Sequence, residues 1–485
     1  MRSGNVYSLE RLIKIAVGLS AEKDFDILMK KILLEAMDVC GCDAGTVYVK
    51  ENDRLEFHTV YTKSKGVPAS EQSRNADLPP VPLDRSHVCA CAAIDNKKIN
   101  IPDIYESTEY NFAGAQKYDA INDYRTGSML VIPMCDEKGQ IIGVLQLINA
   151  LDDKGSIIPF DPEYEDVISA LASLAAVSLN NHQLANEVTE LLHSFVRVMV
   201  DAIEARSAYN ATHTRSMVKY AKAFIEWLDS TDAAWRIADE KKDAFLMSVW
   251  LHDIGKLVIP LEVLDKPDRL AGMKKDIESR IRIACLKEKI RSYEDPLAKD
   301  ECEGRIRSIK EAWEDIKSAN DAPFLDDERI SRLNGYADIK CLDADDNEVP
   351  LLGDEELQAI TVKKGTLTAS ERKTVESHVV YTSRMLSQMN FKGIYKEVPF
   401  WAGAHHEFLD GSGYPERLGE NDLPNEARLL TIIDIYDALT AEDRPYKPPM
   451  EPQKAFGILK SMSEEGKLDG QILDMFIESK AWVRS

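Results

Sequence analysis

His405 and His406 stand side by side, followed by Glu407, Asp410 and a turn containing Gly411, Gly413 and Pro415. Imidazole is the commonest transition-metal ligand, and adjacent histidines are costly to bury unless a metal or hydrogen bonds satisfy them. Upstream lies His252-Asp253-Ile254-Gly255-Lys256, and downstream Asp434-Ile435-Tyr436-Asp437. His213 and His378 bring to five the histidines that fall from residue 198 onward, in a chain that has nine. A lone histidine on an apolar helix is best read as packed core, but five accompanied by Asp253 and Asp434 are not. A carboxylate beside a histidine can bridge two cations, because it has two oxygens and a negative charge. Neighbours on a helix point about 100° apart, so His252-Asp253 and His405-His406 are expected on helices, splayed toward different ions. Gly255 permits close helix approach, and Lys256 follows Asp253 by three residues, on the same helical face. The chemistry these residues predict is metal-dependent phosphoester hydrolysis. Two ions about 3.5–4 Å apart activate water and neutralise transition-state charge. Imidazole donors do not fix the metal.

The bulk numbers restrict the alternatives. A length of 485 residues predicts about three units. The formal net charge of −23 argues against a nucleic-acid polymer as partner, which needs a basic face. A phosphate site must therefore gather its own cations. Eight cysteines are scattered along the chain, including the Cys-x-Cys pairs Cys40/Cys42 and Cys89/Cys91. Neither pair has the longer spacer usual in zinc sites, so both are expected as small core residues in a reduced, cytoplasmic protein. No transmembrane segment is expected. The uncharged run from Val167 to Asn186 is rich in Ala and Ser and contains Asn180, Asn181, His182 and Gln183. Glu10, Arg11 and Lys14 break the N-terminal apolar stretch, so no secretory signal is read there.

The positioning elements follow from periodicity. Residues 9–38 carry a helical pattern. Short β-branched and aromatic runs at Thr46–Val49 and Phe57–Tyr61 precede a hairpin formed by Met129–Met134 and Ile141–Asn149. Helices flanking an antiparallel sheet make an α+β domain. Leu174, Val177, Asn181, Leu184, Val188, Leu191, Phe195 and Val198 then step by three and four, a heptad seam with one polar member. No Pro or Gly interrupts residues 163–203, which predicts a continuous connecting helix forming a parallel coiled coil in a homodimer. From Val198 onward the pattern is almost wholly helical. Residues 271–362 are expected as a charged insertion of solvent-facing helices, with a turn at Asp343–Asn347.

Two resemblances accompany this reading. Residues 9–182 resemble a GAF domain through Ile99-Asn100-Ile101-Pro102-Asp103, Tyr124-Arg125-Thr126-Gly127-Ser128-Met129-Leu130 and Gly143-Val144-Leu145-Gln146-Leu147-Ile148-Asn149. GAF domains bind small ligands or mediate dimerisation. The nucleotide-binding signature is incomplete here: Ala150 follows Asn149, and Tyr164-Glu165 replaces Asp-Glu after Phe160. Residues 198–485 resemble an HD-GYP domain through His252–Lys256, His405–Pro415 and Asp434–Thr440 running to Arg444-Pro445-Tyr446-Lys447. That resemblance implies an all-α domain hydrolysing cyclic di-GMP to pGpG or GMP with iron or manganese ions. It assigns the metal ligands as His213, His252, Asp253, His378, His405, His406 and Asp434. It puts Lys256 beside the site as a phosphate contact or proton donor, and Arg444 and Lys447 on the substrate phosphates. Members with a third ion carry an additional Glu near the first histidine. Tyr209, one turn before His213, cannot supply a carboxylate, so two ions are expected. Glu407 and Asp410 are expected to orient the histidines.

His378 follows His252 by 126 residues, longer than the family pattern. Leu264–Leu270 begins the expected loop and Lys363–Thr368 resembles its end, so the insertion interrupts that loop. Either the insertion or the Gly411–Pro415 loop could offer a partner surface. A tolerated excursion and a simple chain turn are the respective alternatives.

Overall fold

The computed structural model describes residues 25–65, 79–136, 138–206, 212–441 and 449–483. The chain divides into two compact units between Leu191 and Leu192.

The N-terminal unit contains α1 (Phe25–Cys40), β1 (Cys42–Glu51), β2 (Arg54–Thr62), β3 (Val81–Pro82), α2 (Val88–Asp95), β4 (Ile99–Ile101), α3 (Ala113–Asn122), β5 (Met129–Cys135), β6 (Ile141–Leu151), β7 (Ile157–Ile158) and the start of α4 (Glu163–Arg206). The sheet order is β3-β2-β1-β6-β5-β4, with β7 paired to β6 and every pairing antiparallel. Alternation along the strands feeds two cores, as the two-residue side-chain period requires. Val47, Leu130, Ile132, Leu145 and Leu147 pack against α1 and α4, whereas Tyr48, Met129, Val131 and Val144 pack against α2. Cys40 and Cys42 belong to the first core and Cys89 and Cys91 to the second, so the pairs form no four-thiolate site. Burial pushes the Cys42 and Cys89 thiols up to about 12, which keeps them protonated. Of the helix expected over residues 9–38, only the part from Phe25 lies within the described residues.

Helix α4 is continuous over its 44 residues. Its seam residues Val177, Leu184, Val188, Leu191, Phe195 and Val198 are exposed. On other faces Ile168, Leu171 and Ala175 enter the N-terminal core, and Val196, Val200 and Ile203 enter the C-terminal one.

The C-terminal unit contains α5 (His213–Ser230), α6 (Asp239–Leu251), α7 (Leu261–Leu264), α8 (Met273–Glu294), α9 (Lys299–Asp321), α10 (Asp327–Gly335), β8 (Lys340–Leu342), β9 (Glu348–Pro350), α11 (Asp354–Ile360), α12 (Ala369–Glu376), α13 (His378–Gln388), α14 (Val398–Gly403), α15 (Asn425–Thr440), α16 (Pro452–Glu464) and α17 (Gly470–Ser479). Apolar residues surround α15 on all sides, which suits a central helix. Tyr436 stacks on Phe456 and meets Phe476 edge-on.

The insertion differs from its expectation. Its helices are not simply solvent-facing: Ile277, Ile281, Ile309, Trp313, Ile316, Leu333, Leu351 and Ile360 build a separate core. The Asp343–Asn347 turn closes an antiparallel hairpin, β8–β9, so the unit is not wholly helical. Arg269, buried at the neck, donates to the carbonyls of Val362 (2.8 Å) and Ala319 (3.0 Å). Lys266 pairs with both oxygens of Glu371 at 2.8 Å. Glu371 also completes a capping box with Thr368 at the start of α12. The neck is thereby tied to the helix that leads into His378. No helix among the described residues is long and apolar enough to cross a membrane.

Candidate metal centre

Seven residues converge in the C-terminal unit, mostly from helix ends. His213 opens α5, and His378 opens α13. His252 and Asp253 follow the last residue of α6, and His405 and His406 occupy the turn after α14. The adjacent pairs are therefore not splayed on helices as expected; they lie where helices unwind, and the His405 and His406 rings are only 4.2 Å apart. Asp434 comes from the middle of α15. All except His406 are buried.

The histidine tautomers follow from their partners. Nδ1 of His252 is 2.7 Å from the Val249 carbonyl, that of His378 2.7 Å from Val375, and that of His405 2.6 Å from Ala402. A carbonyl can only accept, so each Nδ1 donates, and in the neutral ring Nε2 is the nitrogen left to ligate. The Nε2 atoms lie close together. His252 Nε2 is 3.4 Å from His213 Nε2, and His378 Nε2 is 3.4 Å from His405 Nε2.

Asp253 lies between the two sets. Its Oδ2 is 3.3 Å from His252 Nε2 and 3.6 Å from His213 Nε2. Its Oδ1 is 3.2 Å from His378 Nε2 and 3.9 Å from His405 Nε2. Asp434 approaches His213 Nε2 at 3.2 Å and His406 Nδ1 at 3.7 Å. Three groups have ligand atoms mutually within 4.8 Å: His213–His252–Asp434, His378–His405–His406, and His252–Asp253–His405.

The electrostatics suit a cation. Burial, then the neighbouring His406 and His252, pushes His405 well below its ordinary pKa, and burial brings His406 to about 4. Both present neutral, ligating nitrogens. Burial opposes ionisation of Asp253 and Asp434, but Lys256 and His252 hold the first well below the carboxylate range and His213 and His406 the second. Burial likewise opposes a charged His213, yet hydrogen bonds with Asp434 and Asp437 raise it to about 10. The pull on a proton there is the pull a metal would feel. Neutral imidazoles and ionised carboxylates are the donor set a divalent transition metal takes, so the residues fit the group.

Supporting residues differ partly from expectation. Lys256 lies in a 3₁₀ turn (Ile254–Val258) rather than on an α-helix, and its Nζ is 2.5 Å from Asp253 Oδ2. Glu407 does not orient a histidine. It accepts from the backbone N–H groups of Glu416 (2.7 Å), Arg417 (3.2 Å) and Leu418 (3.0 Å), organising the following loop. Asp410 accepts from the N–H and hydroxyl of Ser412 in a local turn. Gly413 is required by packing, since a Cβ there would lie 2.5 Å from Glu407 Cα and from Phe408 N. Tyr414, next in this loop, packs against His406 at 4.8 Å. Arg444, Lys447 and Tyr209 lie outside the described residues.

Two contributors escaped the sequence reading. Asp437 Oδ2 is 2.7 Å from His213 Nδ1, fixing that ring as a carboxylate partner to a metal-bound histidine does. Its position three residues after Asp434, on the same helical face, was the available signal. Thr382 joins the two halves: its hydroxyl donates to the His252 carbonyl (2.9 Å) and accepts from Gly255 N–H (3.0 Å). Gly255 is as close as expected, since a Cβ there would lie 1.9 Å from the His378 carbonyl oxygen.

Comparison with known proteins agrees with both units. A family model described as a GAF domain matches residues 24–179, and one described as an HD domain matches residues 355–472. The second takes in His378, His405, His406 and Asp434; His213, His252 and Asp253 precede it. The chain is similar to the 3'3'-cGAMP-specific phosphodiesterase 3 of Vibrio cholerae, 39% identical over 21% of this chain and 21% of that protein. It is similar to the cyclic di-GMP phosphodiesterase of Thermotoga maritima, 33% identical over 24% of this chain and 32% of that protein. It also resembles the crystal structure of the GAF domain/HD domain protein from Geobacter sulfurreducens, 20% identical over 35% of this chain and 98% of that one, with a TM-score of 0.27. The chain spans 21% and 32% of the lengths of the two curated relatives. It carries a GAF domain followed by an HD domain.

Proposed function

We propose that the C-terminal unit is a metal-dependent phosphodiesterase that hydrolyses cyclic di-GMP to pGpG, and onward to GMP, under regulation by the GAF domain. One observation carries this reading: the two oxygens of Asp253 face separate sets of histidine ring nitrogens. Imidazole nitrogens and carboxylate oxygens gathered this closely in a buried site are the donor set that divalent transition metals take. We assign one divalent ion to His213, His252, Asp253 and Asp434 and a second to Asp253, His378, His405 and His406, with iron or manganese as the metals. Ions held there neutralise phosphodiester charge and acidify water.

The chain's own residues do the rest. Asp437 orients His213. The backbone carbonyls of Val249, Val375 and Ala402 fix three further rings. Lys256 balances Asp253 and is the group assigned to a substrate phosphate or to a proton in transit. Arg444 and Lys447 are assigned to the phosphates, where an arginine fork and a lysine point charge suit the anion. The names of the relatives support a cyclic dinucleotide substrate, and one of them favours a second reading, 3'3'-cGAMP.

The exposed seam on α4 supports a parallel homodimer, and the GAF domain supports a small regulatory ligand. On the insertion, Leu286, Ile290, Tyr293 and Leu297 are exposed at three-four spacing, which supports a protein partner there. A non-catalytic cyclic di-GMP receptor would bind without turnover.

The test is anaerobic incubation of the purified chain, loaded with Mn²⁺ or Fe²⁺, with cyclic di-GMP and 3'3'-cGAMP in parallel. Formation of pGpG from the first is expected. Absence of turnover on both with either metal would overturn the enzymatic reading.

A further inference from the structure

Helix α4 ends at Arg206, one turn beyond Ile203, which is buried with Val196 and Val200 in the core of the C-terminal unit. The last turn is therefore anchored. From it, the Arg206 guanidinium donates to the carbonyls of Lys256 (3.3 Å), Leu257 and Ile259 (3.1 Å). These carbonyls belong to the 3₁₀ turn that follows His252-Asp253 and to the residue after it. A guanidinium presents several donors in a rigid fork, and hydrogen bonds with a charged donor are the stronger kind. On its other side the same turn is held by Thr382 and by the close approach of Gly255 to α13. The segment bearing Asp253 and Lys256 is thus clamped between α13 and the end of α4.

We propose that Arg206 is a positioning residue, setting the Asp253–Lys256 turn through the carbonyls of residues 256, 257 and 259 and so coupling the end of α4 to the metal centre. The proposal rests on the reading of the cluster as a catalytic centre. Helix α4 begins at Glu163, in the GAF-bearing unit. An axial shift or rotation of the helix reaches the turn through Arg206. A misplacement of about 1 Å can cost on the order of 10²-fold in rate. Arg206 acts through backbone carbonyls, so its effect falls on kcat rather than on metal loading.

The experiment compares full-length Arg206→Ala and Arg206→Lys with the wild type. In the manganese-loaded Arg206→Ala chain, kcat falls by about 10- to 100-fold, while KM and metal content stay at wild-type levels. Arg206→Lys, which keeps one donor group, recovers part of the loss, and added guanidinium ion recovers part of it in Arg206→Ala. Hydrogen exchange supplies a readout independent of activity: amides 254–259 exchange faster in Arg206→Ala, while those of α15 are unchanged. Wild-type kcat and wild-type exchange in Arg206→Ala would overturn the proposal, as would a loss of kcat matched by lost metal. If the wild type turns over neither cyclic dinucleotide, the functional reading fails, and exchange alone then decides the clamp: faster exchange supports it, wild-type exchange overturns it.

Discussion

Each unit buries a polar cluster built around an aspartate, and the two are satisfied in different ways. In the N-terminal unit, Asp43 accepts from the Ser64 N–H (2.9 Å), the Ser64 hydroxyl (2.7 Å) and the Tyr124 hydroxyl (2.8 Å). Asn149 donates to the Tyr124 oxygen (3.0 Å) and the Arg125 carbonyl (2.7 Å) and accepts from Gly127 N–H (2.7 Å). Asp119 accepts from Thr126 and Tyr105. Burial and then Asp43 hold the Tyr124 phenol protonated. Donor meets acceptor throughout. In the C-terminal unit, Asp253 instead meets the Nε2 atoms of His252, His378 and His405, rings whose Nδ1 protons go to backbone carbonyls. A saturated network specifies a fold; a cluster of opposed acceptors asks for a cation.

Removing the Asp253 carboxylate tests that contrast most severely. Asp253→Ala should lower turnover by roughly 10³-fold or more and reduce bound metal, measured by product assay and elemental analysis on the same sample. Chelation should separate the units next. Differential scanning calorimetry should show the C-terminal transition losing about 2.7 kcal/mol of stabilisation relative to protein with metal at 100 times Kd. The N-terminal transition should stay in place; an equal shift of both would break the contrast. Asp437→Asn should cost about 10- to 100-fold in metal affinity or activity, read by metal titration. The smallest effect belongs to the saturated network: Asn149→Ala should destabilise the N-terminal unit by about 1–3 kcal/mol in urea unfolding while leaving metal content unchanged.

How legible these features were depended on their range. The strands showed in β-branched runs because their two faces feed two different cores, and α4 showed in an uninterrupted helical stretch. All seven assigned ligands converge, because their residue types carry the chemistry wherever the chain puts them. The local geometry was less accessible. Nothing in His252-Asp253 says that the helix gives way there to a turn held by Gly255 and Thr382, which meet across residues far apart in sequence. Glu407 was assigned to the histidines because it adjoins them, whereas the unsatisfied N–H groups of residues 416–418 compete for it and win. The insertion read as charged helices because its apolar residues are spread over several short elements that meet only in three dimensions.

The central claim is that Asp253 separates two ions. Anomalous diffraction from crystals of the manganese-loaded chain tests it directly. Two peaks are expected, one bounded by His213, His252 and Asp434 and the other by His378, His405 and His406, with the Asp253 carboxylate between them. A single peak, or peaks that Asp253 does not touch, would contradict the account.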